Sequence, residues 1–373
     1  MRRRGFSYKI HPVFIMSILI RTSTTFLVMA LAALIFGPAS GSASSADLDP
    51  FYGVVSQKKL SGKDFDQMAE GRIGLYRVAV DWQGIDNSGD GDYNWSGLDE
   101  TVEDTARRGI KLMPTFYNSP TWLTYDRRVM PVWSGYAIDA WKDMLEAAVA
   151  RYGNGGEFWQ DHPELPEIPV TLWQIWNEPN IRNFAWPVSP GKYARLVKAS
   201  AASIRSVDPG GKVVLGGMYG SPPDGTGIDA GPFLNRLYRV KGFRKSFDIA
   251  AVHPYAASSR KSLARIFPVR HVMNRHGNTR RPMFITELGW GSDSATSFGT
   301  GSQDAQATQV RTVYRALLRH RARLRLRSVI WFSWADLPTD AYSCSFCHKT
   351  GFFDNEGKAK PSWWALLDFT HGD

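Results

Sequence analysis

The sequence predicts an α/β protein built as a single (β/α)8 barrel, the TIM barrel. Short apolar or β-branched segments alternate with longer segments of helical periodicity. The short segments do not alternate strictly between polar and apolar residues, which is typical of strands buried on both faces of a parallel sheet. Eight strand and helix pairs within 373 residues are typical of a closed barrel.

The predicted elements follow one another in strict alternation. The strands are predicted at 52–55, 73–80, 110–116, 171–176, 213–217, 247–252, 283–286 and 328–333. The helices are predicted at 63–70, 97–108, 138–152, 190–207, 232–240, 261–276, 304–320 and 362–369. No G-x-G-x-x-G motif follows the first strand. The sequence therefore lacks the motif that would indicate a nucleotide-binding doubly wound sheet.

Residues 1–46 are predicted to be a secretion signal rather than part of the fold. Arginines near the start precede an apolar run over 26–36, and small residues follow it, which is the order of a secretory signal. The alternative is a membrane anchor over 12–36, but Arg21 interrupts it, and a spanning helix needs about 20 mainly apolar residues. We therefore expect residues 47–373 to form one secreted domain without a stable membrane span in its mature form.

The charge of the chain does not indicate a nucleic-acid partner. The formal net charge is +10, but the first 46 residues hold five basic residues and no acids, so the remainder carries +5. A cluster of arginines near the end of the chain is interleaved with leucines on a predicted helix, which is typical of a solvated helix face. The composition does not indicate an oligomeric state.

The two cysteines, Cys344 and Cys347, form a C-x-x-C pair. In an exported chain this spacing favours a disulfide that clips a surface loop over a redox site. A zinc site needs two further ligands, and only His348 is nearby. We therefore expect neither a metal ion nor another cofactor.

Two glutamates follow predicted strands at the position where barrel enzymes carry their active sites. Glu178 follows the fourth strand and Glu287 follows the seventh, and the carboxyl ends of barrel strands form the catalytic face. A single glutamate at such a position is as often an ion-pair partner, or an acidic residue at the start of a helix, as it is a catalytic residue. Two opposed carboxylates suit cleavage of a glycosidic bond, where one protonates the leaving oxygen and the other attacks or activates water.

The motifs around these glutamates resemble glycoside hydrolase clan A, whose pattern is Asn-Glu-Pro after the fourth strand and a nucleophilic Glu after the seventh. The matching segments are Trp176 to Pro179 and Thr286 to Trp290. Residues 93–99 and 119–122 resemble segments of family 39 and family 5 β-glycosidases, the cellulase-like enzymes. The resemblance implies that Glu178 is the general acid/base and Glu287 the nucleophile.

The resemblance also implies roles for polar residues near the glutamates. Asn177 would donate a hydrogen bond to the hydroxyl beside the reacting carbon. Arg77 lies within the second predicted strand, where a cation pointing into the barrel needs an acidic partner, and the resemblance makes Glu287 that partner. The alternative is that Arg77 points outward. An ion pair would keep Glu287 ionised, whereas Glu178 must stay protonated until it donates.

The sixth and eighth strands end in candidate substrate-binding residues. His253 and Tyr255 follow the sixth strand. Tyr255 is a candidate hydrogen-bond partner for Glu287, and His253 either binds substrate or is a structural histidine. The resemblance makes Trp334 the platform for the sugar at the cleavage site, because aromatic faces bind the apolar face of a pyranose. Trp122 and Trp290 follow strands and are candidates for further subsites, although single tryptophans are more often buried in the core.

Together these observations predict a retaining O-glycoside hydrolase that cleaves a β-linked oligosaccharide or polysaccharide by double displacement. Its partner would be the carbohydrate substrate. The alternatives are a carbohydrate-binding barrel without catalysis and a transferring or inverting enzyme on the same site. The sequence does not identify the sugar, the linkage, or whether the enzyme acts on chain ends or interiors.

Overall fold

Parallel strands form the inner wall of the protein. The computed structural model describes residues 48–294, 298–338 and 345–372. The strands are β1 (Asp49–Val55), β2 (Ile73–Asp81), β3 (Lys111–Tyr117), β4 (Leu172–Ile175), β5 (Lys212–Leu215), β6 (Met218–Tyr219), β7 (Ala250–His253), β8 (Met283–Leu288) and β9 (Leu326–Phe332).

Helices connect these strands. They are α1 (Gly62–Glu70), α2 (Trp82–Ile85), α3 (Ser96–Ala106), α4 (Gly135–Tyr152), α5 (Glu157–Asp161), α6 (Pro190–Val207), α7 (Ala230–Tyr238), α8 (Ser259–Arg275), α9 (Gln303–Leu324) and α10 (Pro361–Thr370). Several begin at a serine whose hydroxyl accepts a hydrogen bond from a backbone N–H of the first turn, as at Ser134, Ser189 and Ser302. Such caps satisfy donors that a helix start leaves unpaired.

The strands close into a ring. Their order is β5-β4-β3-β2-β1-β9-β8-β7-β6, and all neighbours pair in parallel. A parallel bridge between Val214 and Ile249 joins β5 to β7, and the Leu215 N–H donates to the Ile249 carbonyl at 2.9 Å. The predicted (β/α)8 barrel is therefore confirmed.

Two apolar layers stabilise the ring. The larger cluster combines outward strand residues such as Tyr76 and Trp173 with side chains of the helices. The smaller cluster contains strand residues that alternate along the sequence with those of the larger cluster, among them Val55, Leu75 and Met113. Since side chains of a strand alternate between its two faces, the smaller cluster fills the barrel interior.

The observed elements differ from the predicted ones in two respects. The short helices α2 and α5 lie in connections for which the sequence predicts no helix. The predicted fifth strand is interrupted at Gly216 and Gly217, so that β5 and β6 are separate. A Cβ atom at Gly217 would lie 1.9 Å from Nε2 of His253, so the interruption leaves room for that histidine.

Some predictions lie outside the described residues. The predicted signal over 1–46 and Cys344 belong to this group, so the signal and the cysteine pair stay predictions. Cys347 is buried in the short 3-10 helix Ser345–Lys349. In the described part of the chain, no helix combines the length and the apolar character that crossing a membrane requires.

The space at Gly217 can be tested by substitution. We expect Gly217→Ala to lower the free energy of unfolding by about 1–3 kcal/mol, because a methyl group would be forced against His253 in a packed interior. Urea unfolding of the variant and the wild type measures this loss. Gly135→Ala is the matched control, since a Cβ atom at Gly135 would meet nothing within 4 Å. An equal loss in both variants would contradict this account of Gly217.

Candidate active site

Arg77 lies inside the barrel. It is two residues after Leu75, which belongs to the interior cluster, so strand alternation points both side chains inward. The side chain is almost fully buried, with 3% of the residue exposed. The alternative of an outward-facing Arg77 is therefore wrong, and the buried cation requires compensation from its neighbours.

The guanidinium of Arg77 joins three polar side chains. It donates from Nη1 to Glu287 Oε1 at 2.7 Å, from Nη2 to Asn177 Oδ1 at 2.9 Å and from Nε to Gln174 Oε1 at 2.6 Å. Arginine can only donate, so the oxygen of the Asn177 amide must face it. The amide nitrogen of Asn177, its donor, is thereby left to a ligand in the cleft.

A bulge in β8 lets the side chains of two consecutive residues point into the barrel interior. The pairing of β8 with β9 advances three residues from Ile285 to Leu288 but only two from Val329 to Trp331. The extra residue is typical of a β-bulge, which redirects a side chain. Thr286 and Glu287 therefore both reach the site, although regular alternation would place them on opposite faces.

The chain leaves β4 through an uncommon backbone path. Trp176 and Glu178 have positive φ angles of 68° and 40°, a region that costs non-glycine residues about 1–3 kcal/mol. The path is held because Trp176 Nε1 donates to the Phe184 carbonyl at 2.7 Å and Tyr193 donates to the Ile175 carbonyl at 2.9 Å. This path turns Glu178 into the mouth of the barrel.

His253 and Tyr255 contact the two glutamates from the end of β7. His253 Nδ1 lies 2.7 Å from Glu178 Oε1 and 3.4 Å from Glu287 Oε2. Tyr255 donates its hydroxyl to Glu287 Oε2 at 2.8 Å. A carboxylate oxygen of Glu178 and one of Glu287 lie within 4.8 Å of each other. The structure therefore gathers the predicted polar residues around one point.

The donor atoms of Glu178, His253 and Glu287 are close enough to suggest a metal site. However, Arg77 already donates to Glu287 at 2.7 Å, and a divalent cation would meet the repulsion of this guanidinium. His253 Nδ1 is likewise engaged with Glu178. The arrangement fits two carboxyl groups that are each hydrogen-bonded to neighbouring side chains better than it fits a set of metal ligands.

The two glutamates have different electrostatic surroundings. Burial raises the pKa of Glu178 above its usual value, and the hydrogen bond from His253 offsets this only in part. Burial also opposes ionisation of Glu287, but the charge of Arg77 and the hydrogen bonds from Tyr255 and Arg77 favour the carboxylate, and the pKa of Glu287 is lowered. Between these two pKa values, Glu178 is protonated and Glu287 is ionised.

A cleft of about 1160 Å³ opens above the glutamates. Its aromatic lining consists of tyrosine and phenylalanine, including Tyr117, Phe184, Tyr219, Tyr255, Phe298 and Phe332. Tyr255 lies near the centre, with ring centroids 6.0 Å from Tyr219 and 6.1 Å from Phe332. No tryptophan of the described residues lines this cleft.

Trp334 does not occupy the platform position expected for it. Its ring is fully buried and packs 4.5 Å from Phe353 and 5.5 Å from Trp363, and its Nε1 donates to Asp64. Strand β9 ends at Phe332, so strand alternation no longer governs the direction of Trp334. Phe332 lies in the cleft instead, and the expectation for Trp334 is corrected accordingly.

The other predicted tryptophans also lie away from the cleft. Trp290 is fully buried and donates to the Ala256 carbonyl at 2.8 Å. Trp122 is half-buried, packs 5.8 Å from Trp82 and donates to the Asp86 carbonyl. The full burial of Trp290 corrects the expectation that it binds substrate, whereas Trp122 does not line the cleft and its expected role stays a prediction.

Sequence reasoning missed three polar residues of the site region. Gln174 and Thr286 are fully buried beneath the glutamates. Asn180 joins two loops, because its amide nitrogen donates to the Tyr219 and Ile228 carbonyls and its oxygen accepts from the Tyr219 N–H. A polar side chain at an inward strand position was the available signal for Gln174, four residues before Glu178.

Comparison with known proteins supports the resemblance. No protein-family model matches the chain. A β-xylosidase of Geobacillus stearothermophilus is 27% identical over 158 residues, which are 39% of this chain and 28% of that protein. The chain thus spans less than a third of the length of this relative.

Solved structures share the barrel. A family 39 glycoside hydrolase of Bacteroides cellulosilyticus superposes with a TM-score of 0.67 at 18% identity, over 87% of this chain and 64% of that chain. A family 5 (subfamily 18) enzyme of Bifidobacterium longum, determined with Manβ1-4GlcNAc, superposes with a TM-score of 0.60 at 16% identity, over 83% of this chain and 72% of that chain. The likeness to families 39 and 5 that the motifs indicate is confirmed, and the fold is shared.

The contribution of Arg77 to stability can be measured directly. We expect Arg77→Met to lower the free energy of unfolding by about 3–5 kcal/mol at neutral pH, because it leaves a buried carboxylate without its partner. Arg107→Met is the control, since its pair with Glu103 is about half exposed and contributes about 0.3–0.5 kcal/mol. Chemical denaturation of both variants gives the comparison. Similar small losses would show that Arg77 does not hold the site together.

Proposed function

We propose that the protein is a retaining glycoside hydrolase that cleaves β-linked oligosaccharides or polysaccharides. The observation that carries this proposal is the pair of buried carboxyl groups, one oxygen of each lying within 4.8 Å of one oxygen of the other. Retaining enzymes hold their two carboxyl groups about 5–5.5 Å apart, whereas inverting enzymes need about 6.5–9.5 Å for a water molecule. The short separation therefore favours double displacement.

The opposite directions of the two pKa shifts support the proposed division of roles. Glu287, with its lowered pKa, is ionised and attacks the anomeric carbon to form a glycosyl ester. Glu178, with its raised pKa, donates a proton to the leaving oxygen. In the second step Glu178 removes a proton from water, which attacks the ester and releases Glu287. Asn177 donates to the hydroxyl beside the anomeric carbon.

The lining of the cleft supports a neutral glycan as substrate. Phenylalanine and tyrosine rings offer apolar faces on which pyranose rings can pack. Arg127 contacts Asp81, and Arg128 contacts Asp126 at 2.8 Å, so acidic neighbours compensate both cations. The β linkage is proposed because the similar proteins include a β-xylosidase and an enzyme bound to Manβ1-4GlcNAc. We further propose that the protein is exported, on the basis of residues 1–46.

The roles of the glutamates can be separated with aryl β-glycosides. We expect Glu287→Gln to lower kcat by about 10⁴-fold or more on every substrate, because the nucleophile is lost. We expect Glu178→Gln to lower kcat by about 10²–10⁴-fold, with the smaller loss for acidic phenols, which leave without full protonation. Initial rates across a series of phenol leaving groups measure this difference.

Two controls complete the assay of the glutamate variants. Glu103→Gln changes an exposed residue of α3 and should leave the rates unchanged. NMR of the first-formed sugar should show the anomer of the substrate. An inverted anomer would overturn the nucleophile assignment, and activity that survives both glutamate substitutions would locate the chemistry elsewhere. A wild-type protein that binds glycans without hydrolysis or transfer would be a carbohydrate-binding barrel.

The pH dependence follows from the two carboxyl groups. Activity should fall as the pH rises through the raised pKa of Glu178, because the acid loses its proton. It should fall at low pH as Glu287 becomes protonated. We expect Tyr255→Phe to move the acid limb upward by about one pH unit, because the variant loses a hydrogen bond to the ionised carboxylate.

Tyr219→Phe is the matched control for the pH profile of kcat/KM. Tyr219 also lines the cleft, but the hydrogen bonds described for this residue use its backbone. Its variant should keep the acid limb of the wild type. An unmoved acid limb in Tyr255→Phe would show that Tyr255 does not set the ionisation of Glu287.

A further inference from the structure

A continuous chain of hydrogen bonds runs beneath the cleft from one glutamate to the other. Arg77 connects Glu287 to Gln174 through its Nη1 and Nε atoms. Gln174 Nε2 lies 3.3 Å from Thr286 Oγ1, and Thr286 Oγ1 lies 2.9 Å from His253 Nε2. His253 Nδ1 then reaches Glu178 Oε1 at 2.7 Å. Gln174, Thr286 and His253 are fully buried, so each donor and acceptor needs a partner within the protein.

The chemistry of its neighbours fixes the orientation of the Gln174 amide. Its oxygen accepts from Arg77 Nε at 2.6 Å and from the Thr115 hydroxyl at 2.7 Å. Its nitrogen donates to the Leu215 carbonyl at 3.0 Å. Arginine can only donate and a carbonyl can only accept, so the reversed amide is excluded. The second N–H of Gln174 therefore points to Thr286 Oγ1.

This orientation decides the direction of the next bond. Thr286 Oγ1 accepts from Gln174, and its hydroxyl proton is left for the one other described partner, His253 Nε2. If His253 instead carried a proton on Nε2, the Thr286 hydroxyl proton would have no acceptor among the described residues. An unmade hydrogen bond in a fully buried site is costly. Nε2 is therefore the acceptor, and the ring proton lies on Nδ1.

We propose that Gln174 and Thr286 are positioning residues that hold His253 as the neutral tautomer protonated on Nδ1, so that His253 donates a hydrogen bond to Oε1 of Glu178. This favours a protonated Glu178 that carries its own proton on Oε2, because the carbonyl oxygen of an acid accepts a hydrogen bond better than its hydroxyl oxygen. Oε2 is the oxygen left for the leaving group. The inference rests on the proposed function for its catalytic meaning, but the tautomer of His253 is independent of any activity.

The donated hydrogen bond also affects the ionisation of Glu178, because it stabilises the carboxylate more than the acid. Losing it should therefore raise the pKa of Glu178. In a variant that loses this hydrogen bond, the other groups that act on Glu178 stay in place. The titratable and charged groups that face Glu178 come from β2, β6, β8 and the segment at and after β7, and they are Arg77, Tyr219, His253, Tyr255 and Glu287.

The tautomer can be observed directly in the wild-type protein. We expect two-bond ¹⁵N–¹H correlation spectra of the histidine-labelled full chain to show His253 protonated on Nδ1 and unprotonated on Nε2. The signal is assigned by its absence from the spectrum of His253→Gln. A wild-type ring protonated on Nε2, or on both nitrogens, would overturn the proposal whether or not the protein hydrolyses glycosides.

Substitution of Thr286 tests the consequence. We expect Thr286→Val to permit the tautomer protonated on Nε2 and to move the alkaline limb of kcat/KM upward by about one pH unit. Thr286→Ser keeps a hydroxyl and should restore both the spectrum and the limb. Thr115→Val is the matched control, because it removes a buried hydroxyl from the opposite end of Gln174 without touching His253.

The outcomes separate this inference from the proposed function. A shifted limb in Thr286→Val and Thr286→Ser alike, or an equal shift in Thr115→Val, would contradict the positioning role. Absence of hydrolysis in the wild type would overturn the proposed function, while the spectra would still decide the tautomer. If Thr286→Val fails to fold, as judged by circular dichroism, the wild-type and Thr286→Ser spectra decide the proposal.

Discussion

The buried charge of Arg77 is the constraint on which the rest of the site depends. A guanidinium inside an apolar barrel is unfavourable unless acceptors surround it. Here Glu287, Asn177 and Gln174 provide those acceptors from β8, the end of β4 and β4 itself. Because arginine donates in a fixed planar geometry, it also fixes the orientation of the groups around it. One cation thus determines that the amide oxygens of Asn177 and Gln174, rather than their nitrogens, face it.

The local irregularities of the barrel follow from bringing so many polar groups to one place. The bulge in β8 admits Glu287 beside Thr286. The positive φ angles of Trp176 and Glu178 redirect the chain after β4. The break at Gly217 leaves space for the ring of the histidine that ends β7. The positive φ angles cost stability by themselves, and hydrogen bonds from Trp176 and Tyr193 hold the backbone there.

The fold was accessible from the sequence because it depends on patterns that repeat along the chain, and the structure has the eight predicted repeats with small shifts in their ends. The break at Gly217 could not be predicted, because its cause is a side chain on another strand. The two glutamates of the candidate site were accessible because they follow strands within specific motifs. The sugar platform was not, because the resemblance placed it at Trp334, whereas β9 ends at Phe332 and Trp334 is buried in the core. Gln174 and Thr286 went unnoticed since their importance comes from contacts between strands, which a single sequence does not show.

Two identical side chains in one cavity acquire different protonation states. Burial acts on both Glu178 and Glu287 in the same direction, so burial cannot distinguish them. The distinction comes from their partners: Glu287 receives a permanent cation and a phenol, whereas the principal hydrogen-bond partner of Glu178 is an imidazole. A permanent charge stabilises an ionised carboxylate at every pH, while a neutral ring provides only a dipole. The barrel therefore distinguishes the proposed acid from the proposed nucleophile by placing the buried guanidinium of Arg77 against Glu287.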